Sequence, residues 1–393
     1  MKIAALCEAI NEFRREYGAQ EIQHVLVHTG EHYDANMSDF FFNDLELPKP
    51  DIFLDVGSGS DSIQTARLME RFENVLLSEK PDIVIVVGDM NSTVACALVT
   101  KKTLCDAANG GQSFIPKLVH IEAGLRSFDR SMPEEINRIV TDAVSDFLFT
   151  TEESANRNLL AERVPEHKIF FVGNVMIDTL LRYRSKANES SILNDLQLSN
   201  GAAVKTYGIL TLHRPANVDD LSVFSRMLDA FLDISKQMPL IFPAHPRTLK
   251  QIHAADLGDY FIDHFVESPE PWDSRVRIRL IPPLGYLDFL RLMSHARLVL
   301  TDSGGIQEET TILGVPCITL RESTERPVTL EQGTNVLVGS SPEKIITEFN
   351  RIFQQEQERK NSPKYWDGNA AKRIVGVLAQ QLLGNTGLSC DDG

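Results

Sequence analysis

Two stretches of this chain combine residue types that hold anions and move protons. The first, Asp302-Ser303-Gly304-Gly305-Ile306-Gln307-Glu308-Glu309, reads as a turn that opens a helix, which leaves backbone N–H groups and the positive end of a helix dipole facing an anion. Ser303 adds a hydroxyl donor, Gly304 and Gly305 let a pyrophosphate approach the backbone, and Glu309 sits about a turn further on, where a carboxylate accepts hydrogen bonds from ribose hydroxyls. A nucleoside diphosphate fits that spacing. So does a plain turn with Ser303 as N-cap and Glu309 on a solvated face.

The second stretch, His120-Ile121-Glu122-Ala123-Gly124-Leu125-Arg126-Ser127 followed by Ser131-Met132-Pro133-Glu134-Glu135-Ile136-Asn137-Arg138, offers carboxylates suited to general acid and base work. Glu134 also reads as part of a capping box, Ser131-x-x-Glu134, with Pro133 in the first turn and Arg138 one turn on. Asp89, after Gly88, suits the same proton chemistry or a helix N-cap. His213-Arg214 before Pro215, and His245 in Pro243-Ala244-His245-Pro246-Arg247, suit phosphate contact or proton transfer as well as a structural role. Arg326 offers a guanidinium fork for a phosphate or a carboxylate, or a surface ion pair.

The elements that must position these residues alternate. β-Branched runs at Ile22–His28, Ile83–Val87, Lys117–Ile121, Phe147–Thr150 and Ile169–Val172, with helices such as Asp61–Ser78 between them, read as one Rossmann-like series. A second series follows at Tyr207–Leu212, Leu240–Pro243, Val276–Leu280, Leu298–Thr301, Pro316–Leu320 and Asn335–Val338. The class is α/β, with two Rossmann-like domains at 1–172 and 173–368 and a closing helix and tail at 369–393. Asp89, Glu122, His213 and Asp302 each follow a strand, two in each domain, as ligand binding at carboxyl strand ends in a cleft requires. The polar run Gln354–Lys360 reads as an exposed helix end. The chain opens in a helical pattern at Ile3–Phe13, where an α/β domain ordinarily opens with a strand, so a first central strand is expected to be missing.

The 393 residues suit two domains, and 42% hydrophobic against 24% charged residues excludes bulk disorder. A formal net charge of −16 argues against a nucleic-acid or anionic-membrane partner. Five scattered cysteines indicate neither a disulfide framework nor a zinc site. No apolar run approaches a membrane span, and the start lacks a signal peptide, so the expected location is the cytoplasm. Walker, nucleophile-elbow and His-Glu-x-x-His motifs are absent, and no metal is expected.

Jointly, the segments resemble the non-hydrolysing UDP-N-acetylglucosamine 2-epimerase family, whose fold is that of the GT-B glycosyltransferases. The likeness spans most of the chain: Thr29 to Asp34, Gly88-Asp89, His120 to Ser127, Pro133 to Arg138, Val172-Gly173-Asn174, Thr211 to Arg214, His245-Pro246, Pro283-Leu284-Gly285-Tyr286, Thr301 to Glu309 and Thr324 to Pro327. The resemblance implies that Ser303, Gly304 and Gly305 hold a UDP diphosphate with His213 and Arg326 nearby, and that Glu309 takes the ribose. It implies that Pro283, Leu284 and Tyr286 border the uracil, and that His245 and Arg138 belong to the substrate site. Asp89, Glu122 and Glu134 then surround the sugar as acid/base groups. The implied reaction eliminates UDP to 2-acetamidoglucal and re-adds it, giving UDP-N-acetylmannosamine with no redox cofactor. Closure of the two domains is expected to retain the intermediate. A homodimer and a place in surface polysaccharide synthesis are family expectations.

Three departures stand beside the resemblance. The family's opening strand and its Gly-Thr-Arg-Pro-Glu turn are absent, Lys2 matching the lysine just beyond it, so the true start is expected upstream or the chain is a fragment. Glu31 stands where bacterial members often have the glutamine that contacts an activating second UDP-N-acetylglucosamine. Ala216 replaces the acidic residue of the His-Arg-x-Glu-Asn pattern. Other readings of the same site are a hydrolysing epimerase that releases N-acetylmannosamine and UDP, a 2-epimerase of a UDP-diacetamido-uronate, a glycosyltransferase, and an inactive UDP-sugar binder.

Overall fold

A computed structural model describes residues 1–18, 22–31, 44–107, 111–199, 201, 203–263, 278–354 and 362–383. His32 to Asp34, Val276, most of Gln354–Lys360 and the tail after 383 lie outside the described residues. The chain divides into two compact units, residues 1–179 with 364–393, and residues 180–363.

The first unit opens with α1 (Lys2–Tyr17), whose buried face Ala5, Leu6, Ala9, Ile10 and Phe13 recurs at helical spacing. Strands β1 (Val27–His28) and β2 (Ile52–Phe53) form a two-stranded parallel sheet. Helix α2 (Asp61–Glu79) follows, then β3 (Ile83–Val87), α3 (Asn91–Lys102), β4 (Lys117–Ile121), α4 (Pro133–Val144), β5 (Phe147–Thr150) and β6 (Ile169–Phe171). The last four strands make one parallel sheet in the order β3-β4-β5-β6. Alternation along β3 splits the core: Val84 and Val86 pack with Val27, Ile52, Leu68 and Phe72, whereas Ile83, Ile85 and Val87 join the α1 side. Both sheets thus feed one core, with no hydrogen-bonded pairing between them among the described residues.

The second unit is a seven-stranded parallel sheet, β13-β12-β11-β7-β8-β10-β9. Its strands are β7 (Gly208–Thr211), β8 (Leu240–Pro243), β9 (Phe261–Asp263), β10 (Ile278–Ile281), β11 (Leu298–Thr301), β12 (Cys317–Thr319) and β13 (Asn335–Leu337). Helices α5 (Leu221–Ser235), α6 (Tyr286–Ser294), α7 (Gly304–Leu313) and α8 (Pro342–Gln354) flank it. Phe224, Phe231, Phe242 and Phe349 fill its core. The last helix, α9 (Ala370–Leu383), returns to the first unit, where Ala370, Ala371, Ile374 and Leu378 pack with the small face of α1. This fixes the start of α1, and with it Lys2.

Cys7, Cys96, Cys105 and Cys317 are buried free thiols, and Cys390 lies outside the described residues. Among the described residues no helix is long and apolar enough to cross a membrane, and no group of three or more His, Cys, Asp and Glu residues is arranged to hold a metal ion.

Candidate active site

In the first unit the parallel register pairs Val87 with Ile121, so Gly88-Asp89 and Glu122 leave adjacent strand ends side by side. Gly88 (φ 76°) occupies a left-handed turn, and a Cβ there would stand 2.9 Å from Lys2 Nζ. That ammonium lies 2.5 Å from Glu122 Oε2. Glu122 also has a left-handed backbone (φ 69°), which costs a non-glycine residue about 1–3 kcal/mol and needs the surroundings to hold it.

What holds these turns is buried and polar. His120 Nε2 donates to the Gly88 carbonyl at 2.8 Å, and Nδ1 lies 2.6 Å from Asp142 Oδ1. The other Asp142 oxygen accepts the Gly124 N–H at 3.0 Å and pairs with Arg126 at 2.8 Å. One carboxylate on α4 therefore ties together the loops that carry Asp89 and Glu122. Burial opposes its charge, but His120 and Arg126 outweigh that and hold Asp142 below the usual carboxylate range.

Asp89 is not a helix cap: the position before α3 is Met90, and the Asp89 carboxylate pairs with Arg138. The capping-box reading of Glu134 fails in the same way. Helix α4 starts at Pro133 behind Met132, and Ser131 bonds Asp129 instead. The Glu134 side chain makes no hydrogen bond or ion pair among the described residues. Its neighbour Glu135 is the buried one, accepting the Ser127 and Phe128 N–H groups at 2.9 Å each and Arg138 Nη2 at 2.7 Å. Despite the penalty of burial, these donors hold Glu135 below its ordinary range. The sequence places Arg138 one turn from Glu134; the structure pairs it with Glu135 and Asp89. Glu31, also buried, accepts the Ser92 N–H at 3.0 Å near the start of α3.

In the second unit, neighbouring strands β7 and β11 deliver His213 and Asp302 together. Ser303 is the residue before α7 but makes no side-chain cap bond; its N–H is spent on Thr301 Oγ1 at 3.0 Å. The first N–H groups of α7 belong to Gly304, Gly305 and Ile306. A Cβ at Gly304 would stand 2.8 Å from Arg326 Nη1, so this guanidinium sits against the helix start. Arg326 is not in a surface pair. It is buried, with Nε 2.7 Å from Glu308 and a second contact to Glu325.

Glu309 is not on a solvated face either. It is buried on α7 and accepts the Tyr286 hydroxyl at 3.0 Å. Burial pushes its carboxyl up to about 7, the Tyr286 hydrogen bond opposing and the Glu308 charge adding. Tyr286 is itself buried, whereas Pro283 and Leu284 are half-buried. His245 precedes a helix, with Nδ1 accepting the Arg247 N–H at 3.2 Å and its ring 6.5 Å from that of His213. The sequence reading missed Gln307, whose Oε1 joins Thr324 and Asn335 at 2.7 and 3.0 Å. A polar residue at a buried helical position is its only signal.

A model of the UDP-N-acetylglucosamine 2-epimerase family matches residues 15–379. UDP-N-acetylglucosamine 2-epimerase of Methanocaldococcus jannaschii is 42% identical over 356 residues, 90% of each chain. That of Methanococcus maripaludis is 41% identical over 355 residues, again 90% of each. The crystal structure of the M. jannaschii UDP-GlcNAc 2-epimerase in complex with UDP-GlcNAc and UDP matches with TM-score 0.80 and 39% identity, covering 96% of this chain and 95% of that one. The GT-B fold class is shared with it.

Proposed function

The chain belongs to the UDP-N-acetylglucosamine 2-epimerase family, and on that premise we propose that it interconverts UDP-N-acetylglucosamine and UDP-N-acetylmannosamine without net hydrolysis. The observation that carries this reading is the start of α7: glycine N–H groups, the Arg326 guanidinium against Gly304, and a buried carboxylate at Glu309 behind them. Those are the groups a nucleoside diphosphate needs for its phosphates and ribose.

The sugar hydrogen at C2 lies beside no carbonyl and is weakly acidic, so the bond at C1 breaks before or with its removal. UDP departs, 2-acetamidoglucal forms, a proton returns to the opposite face of C2, and UDP adds back. Two faces require two proton-bearing groups. Asp89 is anchored by Arg138 and Glu122 by Lys2, while the Glu134 side chain has no such anchor among the described residues. Those three carry the proton traffic. Ser303, Gly304, Gly305, Arg326 and His213 stabilise the diphosphate charge as it develops. Glu309 takes the ribose with Tyr286 bracing it; Pro283, Leu284, His245 and Arg138 complete the substrate contacts. The proposal extends to a cytoplasmic homodimer that supplies UDP-N-acetylmannosamine for polysaccharide synthesis, a state that sedimentation reads directly.

Anion-exchange chromatography of UDP-N-acetylglucosamine incubated with the protein tests the reading. A second UDP-sugar in equilibrium with the first, and no accumulation of free UDP, is expected. Accumulating UDP with free N-acetylmannosamine would replace this reading with the hydrolysing one.

A further inference from the structure

Asp302 opens the glycine turn, but its carboxylate serves the neighbouring strand end. Oδ1 stands 2.8 Å from His213 Nδ1. Oδ2 accepts the Arg214 N–H at 2.9 Å and Asn217 Nδ2 at 3.1 Å. The His213 N–H is shared between the two oxygens at 3.2 and 3.1 Å. All of these partners donate, so the fully buried carboxylate is an acceptor throughout. Burial disfavours its charge, yet the His213 hydrogen bond and the backbone donors hold it below the usual range.

An acceptor facing Nδ1 keeps the proton on that nitrogen and leaves Nε2 as the working atom of the ring. The His213 side chain is 46% exposed while Asp302 is 0% exposed, so the ring is held from behind and open in front. His245 is set the other way, because Nδ1 accepts the Arg247 N–H and its own proton belongs on Nε2. The two neighbouring imidazoles are therefore turned in opposite senses, and the Asp302 carboxylate holds a proton on Nδ1 of His213 while the His245 Nδ1 accepts one.

We propose that Asp302 is the positioning residue of a His213–Asp302 dyad whose Nε2 exchanges a proton with the departing and returning diphosphate. This rests on the epimerase reading above. As the C1–O bond breaks, its electron pair passes to the β-phosphate oxygen, the C2 proton passes to the general base, and Nε2 of the protonated ring gives its proton to that oxygen. Addition of UDP reverses the transfer and leaves the ring as it began.

A double-mutant cycle tests the dyad. In D302N the amide oxygen still accepts backbone N–H groups, but its NH2 opposes the Nδ1 proton. D302N is expected to lower kcat about 10²-fold or more with KM within about threefold. In an H213N background the same change is expected to cost less than about threefold. Equal losses in both backgrounds would make Asp302 merely structural and overturn the proposal. The ring 15N shifts of His213 in the unmutated protein, assigned with H213N, give a readout that needs neither turnover nor folding of D302N. A proton on Nδ1 is expected, and a neutral ring protonated at Nε2 would overturn the dyad. Absence of epimerisation beside a correct tautomer would count against the epimerase reading alone.

Discussion

The ammonium of Lys2, in the first turn of α1, lies 2.5 Å from Oε2 of Glu122, a carboxylate that is 2% exposed. A cation at a helix start opposes the helix dipole at a cost of about 0.3–1 kcal/mol, so this lysine serves Glu122 and not α1. Lys2→Met is expected to destabilise the protein by roughly 3 kcal/mol, because it strands a buried charge. It is also expected to lower kcat about 10²-fold with the Kd for UDP unchanged. Adding Glu122→Gln should restore the Tm but not kcat, as paired melting and rate measurements would reveal.

Asp142 ties His120, Gly124 and Arg126 into one buried network. Asp142→Asn is expected to cost roughly 3–5 kcal/mol in urea unfolding, since the buried Arg126 guanidinium loses its counter-charge and the amide cannot accept from His120, Gly124 and Arg126 together. The sign with pH follows from the depressed folded-state value. The stabilisation is present above the unfolded value near 3.9 and lost as the pH falls below it. The variant should therefore show a flatter stability curve between about pH 5 and pH 3 than the unmutated chain.

Burial pushes the Glu309 carboxyl from an ordinary 4.5 up to about 7. A raised carboxyl favours the folded state fully below the unfolded value and loses that advantage as pH rises through about 7, a swing of up to roughly 3 kcal/mol. Glu309→Gln is expected to remove most of the decline in Tm between pH 5 and 8. Ribose hydroxyls donate to the ionised form, so UDP should bind the unmutated protein more tightly at pH 8 than at pH 6. Calorimetric Kd values that fail to tighten with pH would remove Glu309 from the ribose contact.

A methyl group at position 304 would meet Glu325 Oε1 at 2.7 Å and Arg326 Nη1 at 2.8 Å. Gly304→Ala is expected to push the guanidinium from the start of α7 and weaken UDP binding about 10- to 100-fold, the scale of one charge-assisted hydrogen bond. Far-UV circular dichroism should be unchanged. Unaltered affinity would place the diphosphate elsewhere.

Much of the fold is written locally. Ile83–Val87, Lys117–Ile121 and Phe147–Thr150 coincide with their expected spans, because parallel strands covered on both faces are continuous apolar runs that stop at a glycine or polar residue. Strands β2 and β9 escape such reading, since two or three residues carry no periodicity. Residues 22–26 were expected to extend β1, yet pairing covers Val27–His28 alone. At the site, residue types at strand ends were legible, but their counter-ions were not. Glu135, Glu308 and Asp142 look like ordinary helix acids until the fold brings Ser127, Arg326 and His120 to them.

The central claim is that the C2 hydrogen leaves and returns while the C1 bond to UDP is broken and remade. Proton and phosphorus NMR of UDP-N-acetylglucosamine incubated with the protein in D2O tests it most directly. The manno nucleotide with deuterium at C2 and the diphosphate signals of an intact UDP-sugar are expected. A manno nucleotide that retains protium at C2, or a substrate left unchanged by a protein that binds UDP, would contradict it.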